Sequence, residues 1–323
     1  MMKLRTLAGA FHVVALLAAG AAHAQNYPAR PIRLIVTFAP GGGADLIART
    51  VSDPLARLLG QPVVVDNRPG AGGSIGADLV AKSQPDGYTL LFATPGVQIT
   101  NPYLMKKLPY DAARDFAAVA MVSVAPNVLV VNPRLPVKSV EELIDLARAQ
   151  PGKLNFSSAG VGATSHLAFE LFNTVAGIQT THVPYKGTGA ALQDLLSGNV
   201  QMAIDTVGPM LPHIKSGALR ALGVTTPERI PLLPHVPAIA ETLPGFEASS
   251  MNYICARAGT PHAIIARLNK DINTVVGRPE TRDRLLALGA IPASETPEQL
   301  DARIRSLAAK WKKVIEMSGA SVD

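Results

Sequence analysis

Short runs of β-branched and apolar residues alternate with segments of helical period along nearly the whole chain. That alternation restricts the fold to mainly parallel sheets wrapped by helices. Strands are predicted at 32–39, 61–66 and 88–93, with helices at 45–59 and 74–83 between them, and Pro85-Asp86-Gly87 supplies the turn that ends the second helix. A second series opens near Ala118, with a strand through 128–131 and a helix at 139–150 whose Ser139 and Glu142 fit a capping box. Strands at 154–157, 181–184, 200–205 and 218–225 then alternate with helices at 163–176, 189–196 and 209–216. The proline-rich stretch 227–245 reads as a surface loop, and a strand at 250–256 leads into helices at 262–276, 279–288 and 297–317. Two α/β units with a late return predict a two-lobed α/β protein, crossed by the chain near Val124 and near Asn252. Residues 25–124 with 252–323 are expected to form lobe I, and 125–251 lobe II.

The first 24 residues stand apart from this pattern. Lys3 and Arg5 precede an apolar run from Leu7 to Ala19, and Ala22-His23-Ala24 follows, which is the layout of a secretory signal peptide cleaved after Ala24. The run is short for a membrane anchor, and no cysteine near Ala24 is placed to carry a lipid. The expected location is therefore the periplasm, free of an anchor. Loss of Lys3 and Arg5 takes the formal net charge from +6 to +4, and the remaining cations are dispersed, so nucleic acid is not an expected partner. Cys255, the single cysteine, has no internal partner for a disulfide and lies in the apolar stretch Tyr253-Ile254-Cys255-Ala256; it reads as a buried small hydrophobe. Trp311 falls at helical spacing from Leu307 and Ile315, which suits core packing.

Ligands of open α/β sheets bind beyond the carboxyl ends of the strands, so the strand-to-helix loops carry the functional reading. The first strand runs into Phe38-Ala39-Pro40-Gly41-Gly42-Gly43-Ala44-Asp45, and the second lobe offers Ser157-Ser158-Ala159-Gly160-Val161-Gly162-Ala163-Thr164-Ser165-His166. Glycines there allow close backbone approach, and amides at a helix start attract anions. Two such loops predict a ligand held by its carboxylates, although either glycine run also suits a purely structural turn. Asp205 ends a strand, where it can meet a ligand or cap the next helix; Thr94, Pro95 and Asn101 are further candidates for lining a cleft, and Asp45 is placed to cap its helix.

Other chemistries lack their patterns. Neither loop has the Lys-Ser or Lys-Thr pair of a phosphate-binding loop, and Gly70-Ala71-Gly72-Gly73-Ser74-Ile75-Gly76 has the wrong spacing for a dinucleotide fingerprint and reads as the start of a helix. There is no GxSxG elbow for a hydrolase; Ser165 and His166 are adjacent, about 100° apart on a helix, and His166 there suits packing or capping. No metal-ligand spacing such as HExxH occurs. No catalytic residue, metal or cofactor is expected.

The stretches YPARPIRLIVTFAPGGGADLIAR, VVVDNRPGAGGSIGADLVAKSQPDGYTLLFAT, LPYDAARDF, LNFSSAGVGATSHLAFELF, HVPYKGTGAALQDLLSGNVQMAID and IKSGALRALGVTTPER together make a specific signature. On them the chain resembles the Bug family, the periplasmic receptors of tripartite tricarboxylate transporters, over essentially its whole mature length. The resemblance implies a type II periplasmic binding protein fold, a small carboxylate between the lobes, and delivery to transporter membrane subunits. A sensor ectodomain is the alternative partner, an exported hydrolase the more distant alternative, and a monomer the expected state. Carried onto this chain, it assigns the ligand to the loop from Phe38 to Asp45 and the loop from Ser158 to His166. The chain departs from the family around 251–261, where the usual tryptophan and alanine-proline pair are not found: Arg257 stands for the proline, and Tyr253 is expected to alter the cleft wall.

Overall fold

The computed structural model describes residues 27–185, 187–319 and 321, so the predicted signal segment 1–24 lies outside the described residues. In chain order, β1 (Ile32–Val36) leads to α1 (Gly43–Leu59), β2 (Val63–Asn67), α2 (Ser74–Ala81) and β3 (Thr89–Ala93). A wide π-type turn over Gly96–Thr100 runs into the short α3 (Asn101–Leu104). Two strands follow, β4 (Phe116–Ala125) and β5 (Asn127–Val131), with only Pro126 between them. The middle of the chain forms α4 (Val140–Ala149), β6 (Asn155–Ser158), α5 (Thr164–Ala176), β7 (Thr181–Pro184), α6 (Thr188–Ser197), β8 (Met202–Thr206), α7 (Val207–Lys215) and β9 (Arg220–Val224). It ends in β10 (Ser250–Arg257), α8 (His262–Gly277), α9 (Pro279–Ala287), β11 (Ile291–Pro292) and α10 (Pro297–Ser318).

The strands form two sheets, ordered β11-β4-β10-β3-β1-β2 and β7-β6-β8-β5-β9. Within each, most strands point their carboxyl ends the same way, toward the place where the chain crosses. The exceptions are β10 and β11 in the first sheet and β5 in the second, which pair antiparallel with their neighbours. β5 and β10 start at a crossing and so must run away from it. The central strands are apolar and β-branched because both faces are covered by helices: every residue of β5 is buried, as are four of the five in β1.

The strand expected at 128–131 is β5, and β4, for which no strand was expected, precedes it in the other sheet, because Pro126 removes a ladder donor between them and lets the chain change sheets. The outgoing and returning crossings are tied together. Asn127 Nδ2 donates to Ala248 O (2.6 Å), and Asn252 Nδ2 donates to Ser123 Oγ (3.1 Å). Helix α10, opened by a capping box of Thr296 and Gln299, packs against β4 and also against α5 of the other sheet, so the end of the chain touches both lobes. At Ser139 only half of the expected box forms. Its Oγ accepts from Glu142 N, while the Glu142 carboxylate takes the amide of Lys138 instead.

Glycine matters to packing at Gly76, where α2 lies on β1. A Cβ there would stand 3.0 Å from Thr37 Cγ2, 3.1 Å from Arg68 O and 3.2 Å from Ile35 Cγ2. Gly76→Val is therefore expected to cost about 1–3 kcal/mol through overpacking, read as a lowered melting temperature in thermal unfolding. An unchanged midpoint would mean that the helix can lift off the strand.

Candidate functional site

The carboxyl ends of the strands from both sheets meet at a cleft of about 690 Å³. From the second lobe, the loop between β6 and α5 supplies Ala159, Gly160, Val161, Gly162 and Ala163, and the start of α5 supplies Thr164 and Ser165. Helix α5 has no side-chain cap, so its first-turn amides have no intrahelical acceptor. Thr188 begins α6 and Thr206 precedes α7, and both also line the cleft. Three helix starts thus bring the positive ends of their dipoles to one wall. No Lys or Arg among the described residues lines the cleft.

The loop is braced from behind. Gly160 has φ 139°, open only to glycine, and its amide donates to Ser158 Oγ (3.2 Å). Ala159 N donates to Ser165 Oγ (3.0 Å), and Gly162 N donates to His166 Nδ1 (3.1 Å). Accepting that bond requires a neutral His166 ring. His166 is 6% exposed and stacks on His182 with ring centroids 3.9 Å apart, and Phe156 lies near both rings, 4.8 Å from His182 and 6.4 Å from His166. Burial first, and then the neighbouring His182, pushes the His166 imidazole down to about 4, and the Glu170 carboxylate 3.7 Å from Nε2 does not reverse this. Burial lowers His182 as well, whose Nε2 lies 2.6 Å from Ser158 Oγ.

Asp205 is 6% exposed and lines the cleft between the starts of α6 and α7. Thr206 N (2.7 Å), Thr206 Oγ1 (3.3 Å) and Thr188 Oγ1 (3.0 Å) donate to its carboxylate. Burial nonetheless pushes its pKa up, because all three donors are neutral.

The first-lobe wall differs from its sequence reading. Phe38 lines the cleft, but Pro40, Gly41, Gly42 and Gly43 are exposed and stand outside the lining. Asp45 braces that turn: its carboxylate accepts from Gly41 N (2.8 Å), Arg49 Nε (3.0 Å) and Asn67 Nδ2 (2.9 Å). Burial raises the Asp45 carboxyl, and those bonds outweigh it and hold the group below its ordinary value. The wall is instead formed by Ala71 and Gly72, by Thr94, Pro95 and Gly96, and by Thr100 and Asn101, whose Nδ2 donates to Gly72 O (2.9 Å).

Of the residues singled out from sequence, Phe38, Thr94, Pro95, Asn101, Ala159, Gly160, Gly162, Thr164 and Asp205 come together at the cleft. Ser158 and His166 sit directly behind it, and Pro40, Gly41, Gly42, Gly43 and Asp45 do not join it. Thr188 and Thr206 were missed, although the rule that picked the other loops applies to the ends of β7 and β8 as well. Trp311, read as core, is 4% exposed and also lines the cleft. A hydrolase pair is not assembled: Ser165 and His166 each accept a loop amide, and Ser158, beside His182, is 1% exposed and outside the lining. Among the described residues no group of three His, Cys, Asp or Glu could hold a metal, and no helix is long and apolar enough to cross a membrane.

Comparison with known proteins agrees with this architecture. Residues 47–320 match the model of the tripartite tricarboxylate transporter family receptor. BugT of Bordetella pertussis is 40% identical over 324 residues, covering 100% of this chain and 99% of BugT. The structure of R. palustris Rpa4515 with adipate superposes with a TM-score of 0.78 at 38% identity, covering 91% of this chain and 99% of that one. MatC from Rhodopseudomonas palustris with bound malate gives 0.74 at 32%, covering 90% and 100%. With both the family model and full-length relatives matched, the chain belongs to the tripartite tricarboxylate transporter receptor (Bug) family of periplasmic solute-binding proteins, which are receptors rather than enzymes.

Proposed function

We propose that this protein, freed of residues 1–24, captures a small carboxylate in the periplasm as a monomer and delivers it to the membrane subunits of a tripartite transporter. Residues 25–124 and 252–323 move as one lobe and 125–251 as the other, closing about the paired crossings. The carrying observation is the uncapped start of α5, where Gly160, Gly162 and Thr164 face a cleft that has no cationic side chain among the described residues. Backbone amides and helix ends can solvate one carboxylate without a counter-ion. Phe38, Thr94, Ala159 and Asp205 complete the ligand's surroundings, while Ser158 and His166, which take the amides of Gly160 and Gly162, hold the loop so that the start of α5 faces the ligand. The adipate in Rpa4515 and the malate in MatC support a carboxylate as the ligand class.

The test is a thermal-shift screen of protein purified from the periplasm, with carboxylates against neutral sugars. A carboxylate at 100 times its dissociation constant is expected to add about 2.7 kcal/mol of stability. A shift by sugars with none by any acid would refute the assignment.

A further inference from the structure

Anion-binding loops account for one end of a ligand. The cleft also has an apolar share beside its threonines and Asn101: Leu104, Met105 and Trp311 come from the first lobe, Val161 and Leu167 from the second, and Phe38, 41% exposed, lines it too. At about 690 Å³ the space lies in the range that encloses drug-sized molecules, larger than a four-carbon acid requires. Its charge is as telling as its shape. The one acidic side chain on the wall is Asp205, and no cation among the described residues offsets it. A first carboxylate has the start of α5 to itself, whereas the starts of α6 and α7 already face Asp205, which takes Thr188 Oγ1 and Thr206 N. A second would have to shed its water in the same cleft as Asp205, whose donors are already taken up, and like charges at short range in a desolvated site repel strongly.

We infer that the cleft is built for a carboxylate with a single acidic group and an aromatic body, and not for a di- or tricarboxylate. This rests on the assignment of the cleft as a carboxylate site and narrows it. An aromatic ring suits the wall because Trp311 and Phe38 offer faces or edges to it and the Met105 thioether makes favourable contacts with rings. Asp205 is then the group that disfavours a second acid, since two carboxyl groups in one desolvated space cannot both stay charged without cost.

Isothermal titration at neutral pH with benzoate, phenylacetate and 4-hydroxybenzoate, against malate, adipate and citrate, tests this. At least one aromatic acid is expected to bind ten or more times tighter than each of the three polyacids. In Asp205→Asn, whose oxygen can still accept from Thr206 and whose amide can donate to Thr188 Oγ1, adipate is expected to gain at least tenfold relative to the aromatic acids. If malate, adipate or citrate is the tightest ligand of the wild type, the inference is overturned while the carboxylate site stands. If the wild type binds none of the six but responds to neutral or cationic solutes, the carboxylate site itself is lost. An unchanged preference in a folded Asp205→Asn protein removes Asp205 as the group that disfavours a second acid; should that variant not fold, the wild-type series alone decides.

Discussion

Lowering the pH from 7 to 4 is expected to remove up to about 3 kcal/mol of folding stability at His166 alone, and His166→Phe is expected to abolish most of that loss. An ordinary imidazole titrates near 6.5, whereas the buried ring stacked on His182 is held at about 4. Between those values the unfolded chain takes up a proton that the folded chain refuses. Stability is therefore full above pH 6.5, falls through the interval, and levels off once the folded state protonates near 4. His182, depressed by burial, adds to the loss in the same direction. Phenylalanine keeps the stack with His182 but cannot titrate, so the slope of stability against pH should flatten. Because it also cannot accept from Gly162 N, ligand binding at neutral pH should weaken, while Asn, which can offer an oxygen, should restore part of it. Chemical unfolding from pH 4 to 8, with titration calorimetry at pH 7.5, reads both effects; parallel stability curves for wild type and His166→Phe would rule out the histidine as the titrating group.

Gly160→Ala is expected to weaken binding by about 10–100-fold while leaving the protein folded. At φ 139° a Cβ costs about 1–3 kcal/mol, and here it would also stand 3.2 Å from Tyr185 O. The backbone can relieve both only by rotating the peptides that face the cleft, which breaks the bonds of Gly160 N to Ser158 and Gly162 N to His166 and so misaims the first-turn amides of α5. Gly152→Ala is the matched control: φ is 72°, nothing stands within 4 Å of its Cβ, and it does not line the cleft. That variant should lose some stability and bind normally. Wild-type affinity in Gly160→Ala would mean that the loop amides do not hold the ligand.

Most of the helices and strands were legible from period and punctuation, since each short apolar run ends in a glycine or proline signal. Crossings near Val124 and Asn252 were read from the sequence, but the strand at 116–125 was not, and which sheet each strand joins depends on partners more than 100 positions away, as the pairings of Asn127 with Ala248 and Asn252 with Ser123 illustrate. The two residues of β11 carry no pattern of their own and exist because Val124 and Ser123 offer them an edge. For the site, glycine composition pointed to both loops equally, yet only the second delivers its glycines to the cleft. In the first, the same residues make a turn that Asp45 ties back onto itself, a use that composition cannot distinguish from ligand binding. Ser158 and His166 were read with the second loop, and the structure places them behind its lining, because spacing along a helix does not tell which face meets a cavity and which meets another ring.

Trp311 is the chain's single tryptophan, and it sits on the wall of the cleft. Intrinsic indole emission from the unlabelled protein therefore originates from this one position. Changes in its wavelength or intensity report occupancy and closure directly, without dye, engineered reporter or background from a second fluorophore of its kind.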